Sequence, residues 1–156
     1  MTLAEINNEL VKMFPDQFED LEANELKELK NMQFPEGFSQ LYHGKTPIDV
    51  IAIGHFNFMR LQDLINENIW DSPGEDLYEL GFTIVGTSAD DQFYCVNMNQ
   101  KNKGNANDVL LVDPDEDYAG LTAKEARQKM KMLSGSFADF LSREFEFLKK
   151  ASKKKS

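Results

Sequence analysis

Apolar positions recur at helical intervals at both ends of the chain and gather into strand-like runs between them. Leu3, Ile6, Leu10 and Met13 follow a 3.6-residue period. Thr2 and Glu5 have the spacing of a capping box, in which each side chain accepts the other residue's backbone N–H. Pro15 has no N–H to donate and ends that helix. A second helical pattern uses Leu21, Ala23, Leu26, Leu29 and Met32 and breaks before Phe34-Pro35-Glu36-Gly37. A short helical turn then carries Phe38, Leu41 and Tyr42 and closes at His43-Gly44, with His43 as its C-terminal cap.

The middle of the chain changes character. Residues 48–54 and Phe56-Asn57-Phe58 are rich in β-branched and aromatic residues and read as strands. Leu61, Leu64 and Ile65 return to helical spacing, and Asp71-Ser72-Pro73-Gly74 reads as a loop. A short apolar strand from Phe82 to Val85 ends at Gly86, and the clearest strand runs from Phe93 to Met98. In that strand Tyr94, Val96 and Met98 alternate with Phe93 and Cys95, and both faces carry bulky residues, so both are expected to be covered. Residues 99–107 read as a hairpin loop, with Val109 to Val112 as the return strand. Thr122 and Glu125 form a second capping box. Beyond it, Met130 and Met132 alternating with lysines suit an edge strand as well as a helix, and both readings of 123–133 stay open. Ser136 caps a last helix whose stripe is Phe137, Phe140, Leu141, Phe145 and Leu148. Helices, then sheet, then helix make an α+β fold: an antiparallel meander flanked by N-terminal helices and a C-terminal helix. The expected organisation is one domain over 1–150 with a basic, disordered tail over 151–156.

The chain has 156 residues, 41% of them apolar and 28% charged, which suits one ordinary domain with a real core. No apolar run is long enough to span a bilayer, and the N-terminus lacks the basic start and apolar stretch of a signal peptide, so a cytoplasmic protein is expected. The net charge of −10 repels phosphate backbones and anionic lipid and attracts basic proteins. The expected partner is therefore a basic protein, with neither nucleic acid nor membrane.

Three segments in this order resemble the SUKH superfamily, which includes a yeast cell-wall regulator and many bacterial immunity proteins. The first is Leu26-Lys27-Glu28-Leu29 leading into Phe34-Pro35-Glu36-Gly37-Phe38 and Leu41-Tyr42. The second is Phe82-Thr83-Ile84-Val85-Gly86, the pair Asp90-Asp91, and Phe93-Tyr94-Cys95-Val96-Asn97. The third is Gly135-Ser136-Phe137-Ala138-Asp139-Phe140-Leu141, similar to the "Ser-Phe-acidic-x-Phe-Leu" start of the family's final helix. The chain departs from the pattern in the glycine-poor Thr-Ser-Ala after Gly86 and in Asp113-Pro114-Asp115, where the family often carries tryptophan or histidine. The resemblance implies a partner-binding module, commonly one that neutralises a nuclease or deaminase toxin. It implies, alternatively, an intracellular regulatory scaffold of the yeast-regulator kind.

Catalysis finds few residues to carry it. Cys95 with His43 or His55 is the sole thiol–imidazole combination, and Cys95 lies among core-type residues where a thiol is a small hydrophobe. Asp113, Asp115 and Asp117 have the spacing of the first three ligands of an EF-hand. Tyr118 stands where the glycine belongs, however, and Lys124 where the bidentate glutamate belongs. Gly86-Thr87-Ser88-Ala89 lacks the second glycine, the lysine and the helix of a phosphate loop. Neither a metal, a cofactor nor an enzymatic activity is expected. Trp70 is either an interface anchor or packed on the sheet. The charges expected to meet a partner are Asp90, Asp91, Asp113, Asp115, Glu116 and Asp117, because both groups fall at turns beside strands.

Overall fold

In a computed structural model of the chain, which describes residues 1–98 and 108–154, the fold is α+β. Helix α1 spans Leu3–Met13, and its Thr2–Glu5 capping box is formed. A 3-10 turn at Pro15–Gln17 leads into β1, Phe18–Asp20. Helix α2 spans Ala23–Asn31, and a second 3-10 turn at Phe38–Tyr42 ends on His43. Strand β2, Lys45–Pro47, pairs with β1 in a two-stranded antiparallel ribbon. Strands β3, Ile51–Ile53, and β4, Phe56–Phe58, precede helices α3, Leu61–Ile69, and α4, Gly74–Glu79. Strands β5, Phe82–Ser88, β6, Phe93–Asn97, and β7, Val109–Val112, follow. Helix α5, Ala123–Gln128, strand β8, Lys131–Ser134, and helix α6, Phe137–Lys154, complete the order. Strands β3 to β8 form one antiparallel meander in sequence order.

Both faces of the meander are covered, as the alternation in β6 predicts. On one face a continuous run of rings joins the sheet to α6 and the N-terminal segments: Phe34 stacks on Phe38 at 4.5 Å, Phe38 meets Phe137, Phe137 meets Phe56, and Tyr94 meets Phe140 at 5.0 Å. Such pairs add roughly 0.5–1.5 kcal/mol each beyond area burial. On the other face Ile84, Cys95 and Leu110 stand in register and buried across β5 to β7, and Met132 of the edge strand β8 continues the row half-exposed. The Cys95 thiol is fully buried there, 4.0 Å from the Met130 sulfur.

Buried polar side chains bind backbone that the ladders leave unpaired. Strand β4 pairs with β5 only at Ser88 and Thr87. Beyond that contact Asn68 of α3 takes the place of a neighbouring strand at Ile84. Its Oδ1 accepts the Ile84 N–H at 2.8 Å, and its Nδ2 donates to the Ile84 carbonyl at 3.0 Å and the Leu64 carbonyl at 3.1 Å. Thr46 accepts the N–H of Leu61 at 2.9 Å, satisfying one orphan donor at the start of α3.

Several boundaries differ from the sequence reading. The run 48–54 is not one strand: β2 of the two-stranded ribbon ends at Pro47, the Asp49 carboxylate takes the Val50 N–H, and the six-stranded meander begins at Ile51. The loop read at 71–74 gives way to α4 at Gly74, which lies so tightly against the Glu67 carbonyl that no side chain fits. Gly86 does not end its strand. A bulge between Ile84 and Gly86 carries β5 on to Ser88, and the missing side chain makes room for the Phe56 ring, 2.5 Å from where a Cβ would stand. The open choice over 123–133 resolves into both: a capped helix, then an edge strand. Helix α6 continues to Lys154, so residues 151–154, expected to be disordered, are helical. The hairpin loop read at 99–107 lies outside the described residues.

Candidate functional site

The register of the meander gathers the two acidic turns at one end of the sheet. Phe93 at the start of β6 pairs with Val112 at the end of β7, so the Asp90-Asp91 turn and the segment from Asp113 are neighbours. The turn after β3 reaches the same end, because Phe56 pairs with Ser88 and the Ala89 N–H donates to the His55 carbonyl.

Each turn is built by its own sequence. Between β5 and β6 the Ser88 hydroxyl accepts the N–H groups of Asp90 and Gln92, at 3.2 and 3.1 Å. The Asp91 N–H donates to the Ser88 carbonyl, and Asp91 itself is left-handed at φ 60. This is a three-residue hairpin loop whose last position favours glycine and tolerates aspartate. Its two carboxylates point outward and are exposed. After β7, the Asp113 carboxylate accepts the Asp115 N–H at 2.9 Å, and that of Asp117 accepts the Ala119 N–H at 3.0 Å. Glu116 pairs with Lys129 at 2.9 Å, which raises the lysine's pKa through that bond and its charge. Two of the three carboxylates in EF-hand spacing are thus spent on their own loop. Among the described residues no group of three or more His, Cys, Asp or Glu side chains is placed to hold a metal ion.

Beside this acidic end lies a groove of about 540 Å³, which the sequence did not reveal. Helix α6 supplies Phe140, Arg143, Glu144, Glu146, Phe147 and Lys150, and the sheet side supplies His55, Tyr94 and Leu133. Glu144 fixes the wall. Its Oε2 accepts the His55 N–H at 2.9 Å and lies 3.3 Å from the imidazole Nδ1. Gly54 permits this approach: it is left-handed at φ 61, and a Cβ there would meet the Glu144 carboxylate and stand 2.9 Å from the Glu144 carbonyl oxygen. The Tyr94 hydroxyl has its pKa raised, first by burial and then by the charges of Glu144 and Asp90, which puts Asp90 within electrostatic reach of the groove. Phe147 projects at the groove with 54% of its surface exposed. The only sequence signal for this contact is a glycine before a histidine inside a strand-like run; its partner is 89 residues away.

The residues weighed for catalysis are kept apart. Cys95 is buried against Met130 on the other face of the sheet, and burial pushes its thiol pKa well up, opposed only in part by the charge of Arg127. His55 faces Glu144 and solvent, and His43 is exposed at the end of its 3-10 turn.

No family model, no curated protein and no solved structure matches the chain. No helix among the described residues is long and apolar enough to cross a membrane.

Proposed function

We propose that this chain is an immunity-type binding protein, which neutralises a basic toxin by stoichiometric occlusion and meets it with the acidic end of its sheet. The observation that carries this reading is the convergence of two turns, more than twenty residues apart in sequence, that gathers Asp90, Asp91, Asp113, Asp115 and Asp117 at one end of the sheet, with Asp90 near the groove that Tyr94 lines. Charges at the rim steer a basic partner, and exposed apolar groups such as Phe147 give it something to bury. The resemblance to the SUKH superfamily supports the same class of function. The toxin's catalytic cleft, basic because it handles a phosphate backbone, is the surface an acidic protein end would fill.

The test co-expresses the product of the adjacent gene with wild-type and variant proteins, scoring cell survival and pull-down together. Reversal of Asp90 and Asp115 to lysine is preferred to reversal of Asp113 and Asp117, whose carboxylates also hold their turn. The expected result is slower association, steeper with falling salt, and weaker protection at unchanged thermal stability. Glu9→Lys with Asp16→Lys, away from the sheet end and outside the capping box of α1, is the control for diffuse charge. A wild-type protein that neither binds nor protects overturns the immunity reading. Binding untouched by the sheet-end reversal overturns the interface.

A further inference from the structure

The charges that line the α6 groove balance in number but not in how they are engaged. Glu144 is 9% exposed, and its Oε2 is committed to the backbone N–H and the imidazole of His55. Glu146 pairs with Lys149 at 3.2 Å. The two cations of the lining, Arg143 and Lys150, are exposed, and neither has an ion pair among the described residues.

Helix geometry sets these two cations around one ring. Arg143 precedes Phe147 by four residues and Lys150 follows it by three, the spacings that put helical side chains side by side. Glu146 is next to Phe147 in sequence and so projects about 100° away from it around the helix. Glu144 turns to the sheet, where Tyr94 feels its charge. Phe147 is 54% exposed, and the His55 ring meets it in a T-shaped pair at 6.1 Å. Phe140 and Leu133 extend the apolar lining, and the volume of about 540 Å³ lies within the range of small-molecule sites.

We propose that the α6 groove binds a small aromatic anion, with its ring packed on Phe147 and its carboxylate or phosphate held by Arg143 and Lys150. Charge complementarity selects this occupant. An aromatic cation would be repelled by the two unpaired cations, and a neutral ring would gain the ring contact alone. The Arg143 guanidinium matches either anion as a planar fork, and Lys150 adds a point charge. The acidity of the whole chain opposes approach from a distance, but that field is screened beyond about 8 Å at physiological salt. Asp90 acts on Tyr94 at the sheet edge, so the ligand's anion faces α6 rather than the sheet. The inference concerns the chain by itself and does not require a toxin.

The probes share one ring system: naphthoate and naphthyl phosphate as anions, naphthylmethanol as the neutral analogue and naphthylmethylamine as the cation. Each is titrated into the full chain, with amide NMR shifts read for site and affinity. The expected result is saturable one-to-one binding of an anion with a Kd below about 1 mM, with shifts at His55 and along α6 from 140 to 150. The cation should bind at least roughly tenfold more weakly. Arg143→Gln with Lys150→Gln replaces two exposed side chains and should weaken the anion at least roughly tenfold while leaving the alcohol unchanged. Phe147→Ala should weaken both. Absence of anion binding, equal binding of the cation, anion binding untouched by the double glutamine variant, or shifts confined to another surface overturns the proposal. No toxin is present in the titration, so its failure leaves toxin binding at the sheet end unaffected, and a failed toxin pull-down leaves this site unaffected.

Discussion

Replacing Asn68 by alanine should be among the most damaging single changes that leave the apolar core intact. Asn68 is 1% exposed, and its amide closes both the donor and the acceptor of Ile84 on the side of β5 where β4 has ended. Alanine removes both partners while the Leu64 carbonyl stays within α3. A buried backbone group left unpaired costs roughly 1–3 kcal/mol, so two cost about 2–6 kcal/mol. A water entering the vacated space recovers part of that, which puts the expected loss at about 2–4 kcal/mol. Against a total stability of about 5–15 kcal/mol this is a large fraction, and it corresponds to a fall in Tm of roughly 5–15 °C. Urea unfolding with an unchanged m-value is the assay, with hydrogen exchange at the Ile84 amide as the local readout. Asn68→Asp supplies the sign test. The buried carboxyl would accept from Ile84 N–H but donate to neither carbonyl, and burial would raise its folded pKa above the unfolded value. Its deficit should therefore be largest at neutral pH and shrink as pH falls through the folded pKa, when the acid regains a donor. A loss below about 1 kcal/mol for Asn68→Ala, with unchanged exchange at Ile84, would refute the claim that Asn68 substitutes for a strand.

Two further outcomes are expected. Native Cys95 should react with a thiol reagent only as fast as the protein opens, far more slowly than the denatured chain, because the thiol is buried and its pKa is raised by that burial; equal rates would place it at the surface. Asp91→Gly should stabilise the protein by about 0.5–1 kcal/mol in thermal or urea melts, since it relieves the left-handed backbone at φ 60; destabilisation would mean that the Asp91 carboxylate holds the turn.

What the sequence disclosed follows the range of the interactions involved. The capping boxes at Thr2–Glu5 and Thr122–Glu125 close within three residues, so spacing alone locates them. The heptad-like stripe of α6 and the alternation in β6 are equally local, and both were legible. Strand β1 was not, because three residues paired to β2 across 25 to 29 positions leave no periodic trace. Helix α4 was hidden for another reason: Pro73 and Gly74 are loop signals, and here the glycine serves close packing against Glu67. The acidic turns were found as turns, but only the strand register makes them neighbours. The groove depends on contacts between α6 and the β3–β4 turn, which no local pattern encodes.

The charge layout limits what kind of basic partner can fit the sheet end. Six of the chain's seventeen cations fall in residues 143–156, against two carboxylates, so the rest of the chain is more acidic than the net charge of −10 conveys. Arg143 and Lys150 from that segment line the groove together with Glu144 and Glu146, so its formal charges balance, while Asp90 acts on Tyr94 at its edge. A uniformly basic surface laid across this end would gain at the acidic turns and little at the balanced wall. A partner with a basic rim around an apolar projection gains at both, because the projection buries Phe147. In the proposed complex, acidity would speed encounter and the mixed groove would decide which basic protein stays. Reversing the acidic turns should chiefly slow association, whereas removing Arg143 and Phe147 together should chiefly hasten dissociation of the same complex.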